Sequence, residues 1–503
     1  MNERELEPNW PVLVGVGTCF DDVEAVEMMA RATIAAGADS GSGEILERVE
    51  RIVVPRGTWS YADPARIVGR RIGAPTATTV LVDVGIPQQT LIDEVLAAML
   101  AGDLEVAVVT GAEAKARSAR LLATSTKGDT AGMAAVFGGG TAEAIATETD
   151  QGDIEPDVHQ HPVGDLIDPA ELSAGLFAPV EQYALIESAL AAHEGLSIDE
   201  MRTEVAVLWA RFNEVAERSP DASFPAPMTA DQLRTPSPAN RPLALPYNKW
   251  LVSQWTVDQG VSLLFTTVGA ARRAGIDPSR WIHPLVGLSS SHLVPLSQRA
   301  EPHRWPAMGV LGRAAEDRLG APVGACEVQE VYSCFPVAVR VQQRELGLPL
   351  DGTPTVTGGM TFAGGPFNSF VLQAMAPVVR RLRESGGRAL VTSVSGLLTK
   401  PGLGVWAAAG DGEAPFVADL ARAAEAATAR RNVRADHDGP VTMVAATVTF
   451  EGLDPIGLVA LAVTPEGEAV IVRSADPSLV ERAQHALGVV GEVVRVSQGT
   501  VVR

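Results

Sequence analysis

Short apolar runs alternate with amphipathic stretches along the chain. Val12-Leu13-Val14-Gly15-Val16-Gly17 reads as a buried strand, and apolar residues at three-to-four spacing from Ala25 to Ala36 predict a helix after it. Arg51–Val54, Thr78–Val82 and Val106–Val109 read as further buried strands, with a helix from Gln89 to Leu100 between the last two. Strand, helix and strand repeating in this way predict an α/β fold with right-handed crossovers.

From Lys115 to Asn248 the pattern loosens into Gly-, Pro- and Asp-containing loops around two helices, Val180–His193 and Asp199–Ala216, which reads as an insertion. α/β texture resumes at Val257–Ala274. A helix at Val310–Leu319, strands at Ala325–Val331 and Ala389–Ser393, the Gly-rich stretch Thr357–Pro366 and a helix at Asn368–Glu384 then repeat the first block's layout. A helix is expected from Pro415 to Arg431. Beyond it come hairpin strands at Val441–Phe450, Ile456–Val463 and Ala469–Arg473, a short helix at Pro477–Leu487 and a strand at Glu492–Val496, forming a separate β-rich domain. The expected division is 1–114 for the first part of an N-terminal half, 115–250 for the insertion and return to that half, 251–410 for a C-terminal half and 411–503 for the added domain.

Composition narrows the class without naming a chemistry. A chain of 503 residues, 46% hydrophobic and 20% charged, can bury large cores. No window approaches about 18 uninterrupted apolar residues. The N-terminal Met1–Glu7 is acidic, so neither a membrane span nor a secretory signal is expected, and a cytoplasmic location is. Cys19, Cys326 and Cys334 are an odd set without paired spacing, so no disulfide framework, zinc site or other metal is expected. A net charge of −21 repels polyanions and argues against nucleic acid as a partner.

Four loops carry the sharpest signal. Gly85-Ile86-Pro87-Gln88-Gln89, Tyr332-Ser333-Cys334-Phe335, Gly364-Gly365-Pro366 and Val394-Ser395-Gly396 fall in the order and spacing of the four thiolase catalytic loops. The chain resembles the thiolase superfamily, and within it the actinobacterial acetyl-CoA acetyltransferase-like, type 1 thiolase-like proteins. Pro246-Tyr247-Asn248-Lys249, Val257-Asp258-Gln259-Gly260, Tyr61–Arg66 and Leu398-Thr399-Lys400 are similar to segments of that group, as is the extra C-terminal domain. The resemblance implies a duplicated five-layer αβαβα core, a loop domain inserted in its first half and a small OB-like domain at the C-terminus.

The resemblance also implies where catalysis would reside. A thiolase places a cysteine at a helix N-terminus, where its thiolate accepts an acyl group; the matching position is Gly85 or Ile86. Tyr332 and Ser333 replace the polar pair that helps bind the thioester oxygen. Gly364-Gly365-Pro366 stands for Gly-His-Pro, whose histidine is the base, and Val394, beside Ser395, stands for the acid/base cysteine. Lys400-Pro401 departs from the relatives, and all eight histidines fall outside the loops. Thioester Claisen condensation is therefore not expected. Tyr332, able to donate one hydrogen bond to an oxyanion, is the remaining catalytic candidate, while Cys334 reads as packing.

No cofactor is required by this reading, but coenzyme A or an acyl-CoA is an expected ligand, since a pantetheine tunnel depends on shape and backbone more than on catalytic side chains. Lys115, Arg117, Arg120 and Lys249 are candidate phosphate contacts or solvated surface charges. Residues 440–503 carry seven acidic and four basic residues with Phe450 the only aromatic, which favours packing or partner docking over oligonucleotide binding. The expected function is a thiolase-like member of the acyltransferase superfamily acting in lipid metabolism. The alternatives are a lyase, aldolase or acyltransferase using Tyr332, and a non-enzymatic partner protein. Thiolases dimerise through the strand before the first loop, here Thr78–Asp83, and relatives with the extra domain can be monomeric, so monomer and homodimer both stay open.

Overall fold

The computed structural model describes residues 6–124 and 154–502; Met1–Glu5 of the acidic N-terminus and residues 125–153 of the insertion lie outside them. In chain order the first strands are β1 (Pro11–Cys19), β2 (Arg51–Pro55), β3 (Thr78–Val82), β4 (Val106–Ala114) and β5 (Val158–Gln160). A hairpin, β6 (Pro242–Ala244) and β7 (Tyr247–Asn248), precedes β8 (Asp258–Thr267). The first sheet has the order β1-β8-β4-β2-β3-β5, with β8 antiparallel to both β1 and β4 and the other pairs parallel.

The second sheet is built from β9 (His283–Ser289), β10 (Val328–Glu330), β11 (Arg388–Ser395), β12 (Lys400–Ala407) and β13 (Phe416–Asp419), in the order β10-β11-β12-β9-β13. Two helices lie between the sheets, Gln88–Ala101 and Phe370–Ser385, each touching strands of both. Their sequences explain the position. In Gln88–Ala101 the buried residues Leu91, Ile92, Val95, Leu96 and Met99 leave no continuous polar face, as expected of a helix enclosed on several sides. Ala25–Asp39 covers β1, β4 and β8 from outside, and Pro306–Leu319 covers β9 and β12. The result is the expected αβαβα layering.

Two expected boundaries shift. β8 belongs to the first sheet, so the N-terminal half extends to Thr267 instead of ending at residue 250. The helix expected from Pro415 to Arg431 is only Ala421–Ala427; Phe416–Asp419 pairs in parallel with Val286–Ser289 and extends the second sheet beyond residue 410. Pairing with the apolar strand β9 overrides the helix propensity of an alanine-rich run.

The C-terminal strands are β14 (Asp438–Glu451), β15 (Asp454–Val463), β16 (Ala469–Ser474), β17 (Val493–Ser497) and β18 (Thr500–Val502). They join in the order β14-β15-β16-β18-β17 and back to β14, closing a five-stranded barrel with the helix Pro477–Ala483 between its third and fourth strands. The β6–β7 hairpin adds to β14 through Ala244 and Thr449. In the insertion, Ile198–Ala216 starts at a reciprocal cap in which Ser197 and Glu200 satisfy each other's backbone N–H groups. No helix among the described residues is long and apolar enough to cross a membrane.

Candidate active site

A polar contact joins the first loop to the start of β12. Gly85 follows β3 and has φ +107°, a backbone conformation that favours glycine. A Cβ there would also come within 3.0 Å of Pro162. Lys400, the first residue of β12, donates from Nζ to the Gly85 carbonyl oxygen at 2.8 Å. Burial pushes the Lys400 ammonium below its ordinary range. Leu166 lies against the side-chain direction of both Gly85 and Gly396, so the segment carrying Pro162 and Leu166 roofs these two loops. Ile86 is half-buried beside them, and Val394 and Ser395 are buried at the end of β11.

The second and third loops are laced together by the chain around Ser253. Ser253 N–H donates to the Cys334 carbonyl at 3.0 Å, Gln254 N–H to the Met360 carbonyl at 3.0 Å, and Gly365 N–H to the Gln254 carbonyl at 2.9 Å. Ser333 Oγ accepts from the Met360 amide at 3.1 Å, so this side chain braces the third loop. A Cβ on Gly365 would overlap the Ser253 Oγ, and one on Gly364 would crowd Gln259 and Val257. Beneath them Glu330 accepts from the amides of Val356 and Thr357 and from the hydroxyls of Thr355 and Thr357. Its burial pushes the carboxyl up to about 7 despite those bonds.

Tyr332 is held by its backbone. Its N–H donates to Thr392 Oγ1 and its carbonyl accepts from Gln342 Nε2, both at 2.9 Å, while its ring meets Phe370 edge-on at 5.8 Å. The hydroxyl has no hydrogen-bond partner among the described residues. Burial, with Cys334 adding to it, pushes the phenol well above its ordinary range, so it stays a donor at neutral pH. Burial likewise pushes Cys334 up to about 12, which leaves a thiol and not a thiolate. Tyr183 stacks on Phe335 at 4.3 Å, and the buried Arg299 guanidinium donates to the carbonyls of Val294 and Leu397.

The candidate phosphate contacts separate into two kinds. Arg120 pairs with Asp22 at 2.9 Å and Asp258 at 2.7 Å, and Arg117 Nε lies 3.6 Å from Asp22. Lys115 instead places its ammonium over the Trp255 ring, where burial lowers it to about 8 against the pull of Glu113. Lys249 stands 5.2 Å from the Trp250 ring centroid.

No model of a known protein family matches the chain, and no curated protein matches its sequence. Solved structures do. A monomeric SCP2-thiolase like protein type 1 (STLP1) from Mycobacterium smegmatis superposes with a TM-score of 0.80 at 24% identity, over 99% of each chain. The chain has the thiolase fold. The dimeric peroxisomal thiolase of Saccharomyces cerevisiae matches with a TM-score of 0.53 at 13% identity, over 80% of this chain and 98% of that one. The Ltp2-ChsH2(DUF35) aldolase matches with a TM-score of 0.56 at 18% identity, again over 80% of this chain and 98% of that one.

Within the thiolase fold, three features were missed in the sequence. Lys400 reaches the first loop, Ser253 fills the space beside Gly365, and His159 and His161 lie against Asp83, two positions before Gly85. The histidines are outside the four loops in sequence and beside the first one in space. A lysine starting the otherwise apolar run Pro401–Ala407 was the one visible signal.

Proposed function

We propose that this protein binds coenzyme A or an acyl-CoA on a thiolase fold that no longer performs the thiolase condensation, and that it serves acyl-CoA lipid metabolism. The observation that carries the loss of condensation is the Ser253 hydroxyl lying where a side chain on Gly365 would begin. The third loop carries no imidazole base at Gly365, and Ser253 takes up the space beside it. Gly85 offers no nucleophile, and the protonated Cys334 does not replace it. The ligand half of the proposal rests on the fold and on Lys115 and Lys249, whose ammonium groups face indole rings. Arg117 and Arg120 would have to leave Asp22 or Asp258 to meet phosphate oxygens.

The test is calorimetric titration of the full chain with coenzyme A and acetyl-CoA at modest salt, beside an assay for acetoacetyl-CoA formation. The expected result is a Kd below about 100 μM, roughly −5.5 kcal/mol, with no condensation. Absence of binding at millimolar ligand overturns the ligand half, and condensation above the uncatalysed rate overturns the other.

A second reading follows from the free Tyr332 hydroxyl. A protonated phenol without a protein acceptor suits an acid in carbon–carbon bond cleavage, and one structural neighbour is an aldolase. Retro-aldol turnover abolished by Tyr332→Phe would support it; equal turnover in the two proteins would sink it.

We also propose a monomer. β5 pairs along the free side of β3, Val80 with Val158 through Val82 with Gln160, and so occupies the strand edge through which the resemblance implies thiolases dimerise. Light scattering at one chain mass would support this, and a stable dimer mass would overturn it.

A further inference from the structure

β5 brings two imidazoles to one carboxylate. His159 lies on β5 and His161 just past its end, and their rings lie together with centroids 4.2 Å apart. Asp83, just past the end of β3, meets both: His159 Nε2 is 3.0 Å from its Oδ1, and His161 Nδ1 is 2.7 Å from its Oδ2. The backbone fixes this meeting, because the Asp83 amide donates to the Gln160 carbonyl at 2.9 Å and Leu81 is in register with His159.

We propose that Asp83, His159 and His161 form a binding site for one zinc-class divalent ion, which clamps β5 to the edge of β3. One ligand atom from each residue lies within 4.8 Å of the other two, so small side-chain rotations bring all three to the 2.0–2.2 Å that zinc requires. Two imidazole nitrogens and one carboxylate oxygen are a transition-metal donor set; magnesium and calcium want oxygen throughout. Three protein ligands leave a position for water.

Arg56 completes the arrangement without closing it. Its Nε holds Asp83 Oδ1 at 2.7 Å, and Nη2 lies 3.4 Å from His159 Nε2. Arg56 leaves Oδ2 to His161, so an ion entering between those two would take that oxygen, and a ligating carboxylate is commonly oriented by such an outer hydrogen bond.

The position gives the ion a mechanical consequence. The residue after His161 is Pro162, which roofs Gly85, so a metal on His159 and His161 would fix the roof of the first loop as well as the strand edge. The cysteine pattern held no trace of such a site. Asp83 and His159 are 76 residues apart, and only the pairing of β5 with β3 unites them.

The experiment uses the full chain stripped by chelator and titrated with zinc chloride, with magnesium chloride and cobalt chloride in parallel. Expected are one zinc per chain at micromolar Kd or tighter, no magnesium uptake, and a cobalt spectrum of low coordination number. His161→Ala is expected to weaken zinc binding at least tenfold. That side chain is 65% exposed, so its removal leaves folding intact, and Asp83→Asn gives a second variant with the same expectation. Hydrogen exchange at residues 158–161 should slow when zinc binds. Failure to take up zinc overturns the site, as does zinc uptake unchanged in both variants, which would place the ion elsewhere, for instance on the stacked His193 and His303. Zinc bound with exchange at β5 unaltered overturns the clamp.

Discussion

Lys400 Nζ and the Gly85 carbonyl oxygen, 315 residues apart in the chain, are joined by a hydrogen bond of 2.8 Å. The bond ties the start of β12 to the first loop. Replacement by an apolar side chain leaves a buried carbonyl without this donor. Lys400→Met is therefore expected to lower stability by about 1–3 kcal/mol, read as a shift of the urea midpoint at constant m-value.

Gly365 and Ser253 make a second pair that mutation can probe. Gly365→Ala pushes a Cβ into the Ser253 Oγ, and the serine must rotate or the strap must shift. The expected cost is about 1–3 kcal/mol. Ser253→Ala removes the obstructing atom and is expected to recover part of that cost in the double variant. A double-mutant cycle in urea that returns zero coupling would show the two side chains do not compete for this space.

Much of this architecture was legible because burial on both faces writes plain apolar runs, as in Val106–Val109 and Thr78–Val82. The exceptions have physical causes. β5 is only Val158-His159-Gln160, too short and polar to register, and it exists because β3 offers it an open edge. β12 begins Lys400-Pro401-Gly402-Leu403-Gly404, a composition that reads as loop. Its glycines are needed in the sheet interior, where side chains at 402 and 404 would overlap Gln89. What packs against Gly85 and Gly365 could not be read from the sequence, because Pro162, Lys400 and Ser253 reach them from distant segments.

Asp93 sets a dependence on pH. It lies fully inside the layer between the sheets, accepts from Gln89 Nε2 at 2.7 Å, and burial pushes it up to about 8. In the unfolded chain the same carboxyl releases its proton near about pH 4. Between those values the folded state binds more protons than the unfolded one, so stability is greatest on the acid side and falls as pH rises towards 8. Glu330, pushed up to about 7 by burial, acts with the same sign over a narrower window. Asp93→Asn cannot titrate and is expected to flatten part of this decline, seen in urea midpoints measured from pH 5 to 9.

Lys115 and Lys249 should differ from Arg120 in their effect on coenzyme A. Removing either lysine is expected to weaken binding several-fold and to make it less salt-dependent, since each would contribute charge to the phosphates. Arg120→Ala should change little, because Asp22 and Asp258 already neutralise that guanidinium. Titrations at two salt concentrations check the contrast, and equal losses at all three positions would contradict it.

The hairpin that adds to β14 also enters the barrel's interior. Leu245 packs with Val441, Val448 and Leu458, its amide donates to the Val448 carbonyl at 3.0 Å, and its carbonyl accepts from Thr447 Oγ1, 202 residues away, at 2.9 Å. The barrel is consequently not a detachable module. A shortened gene ending before Asp438 would leave Leu245 stranded in water, and a barrel expressed alone would begin life with a hole where that leucine belongs.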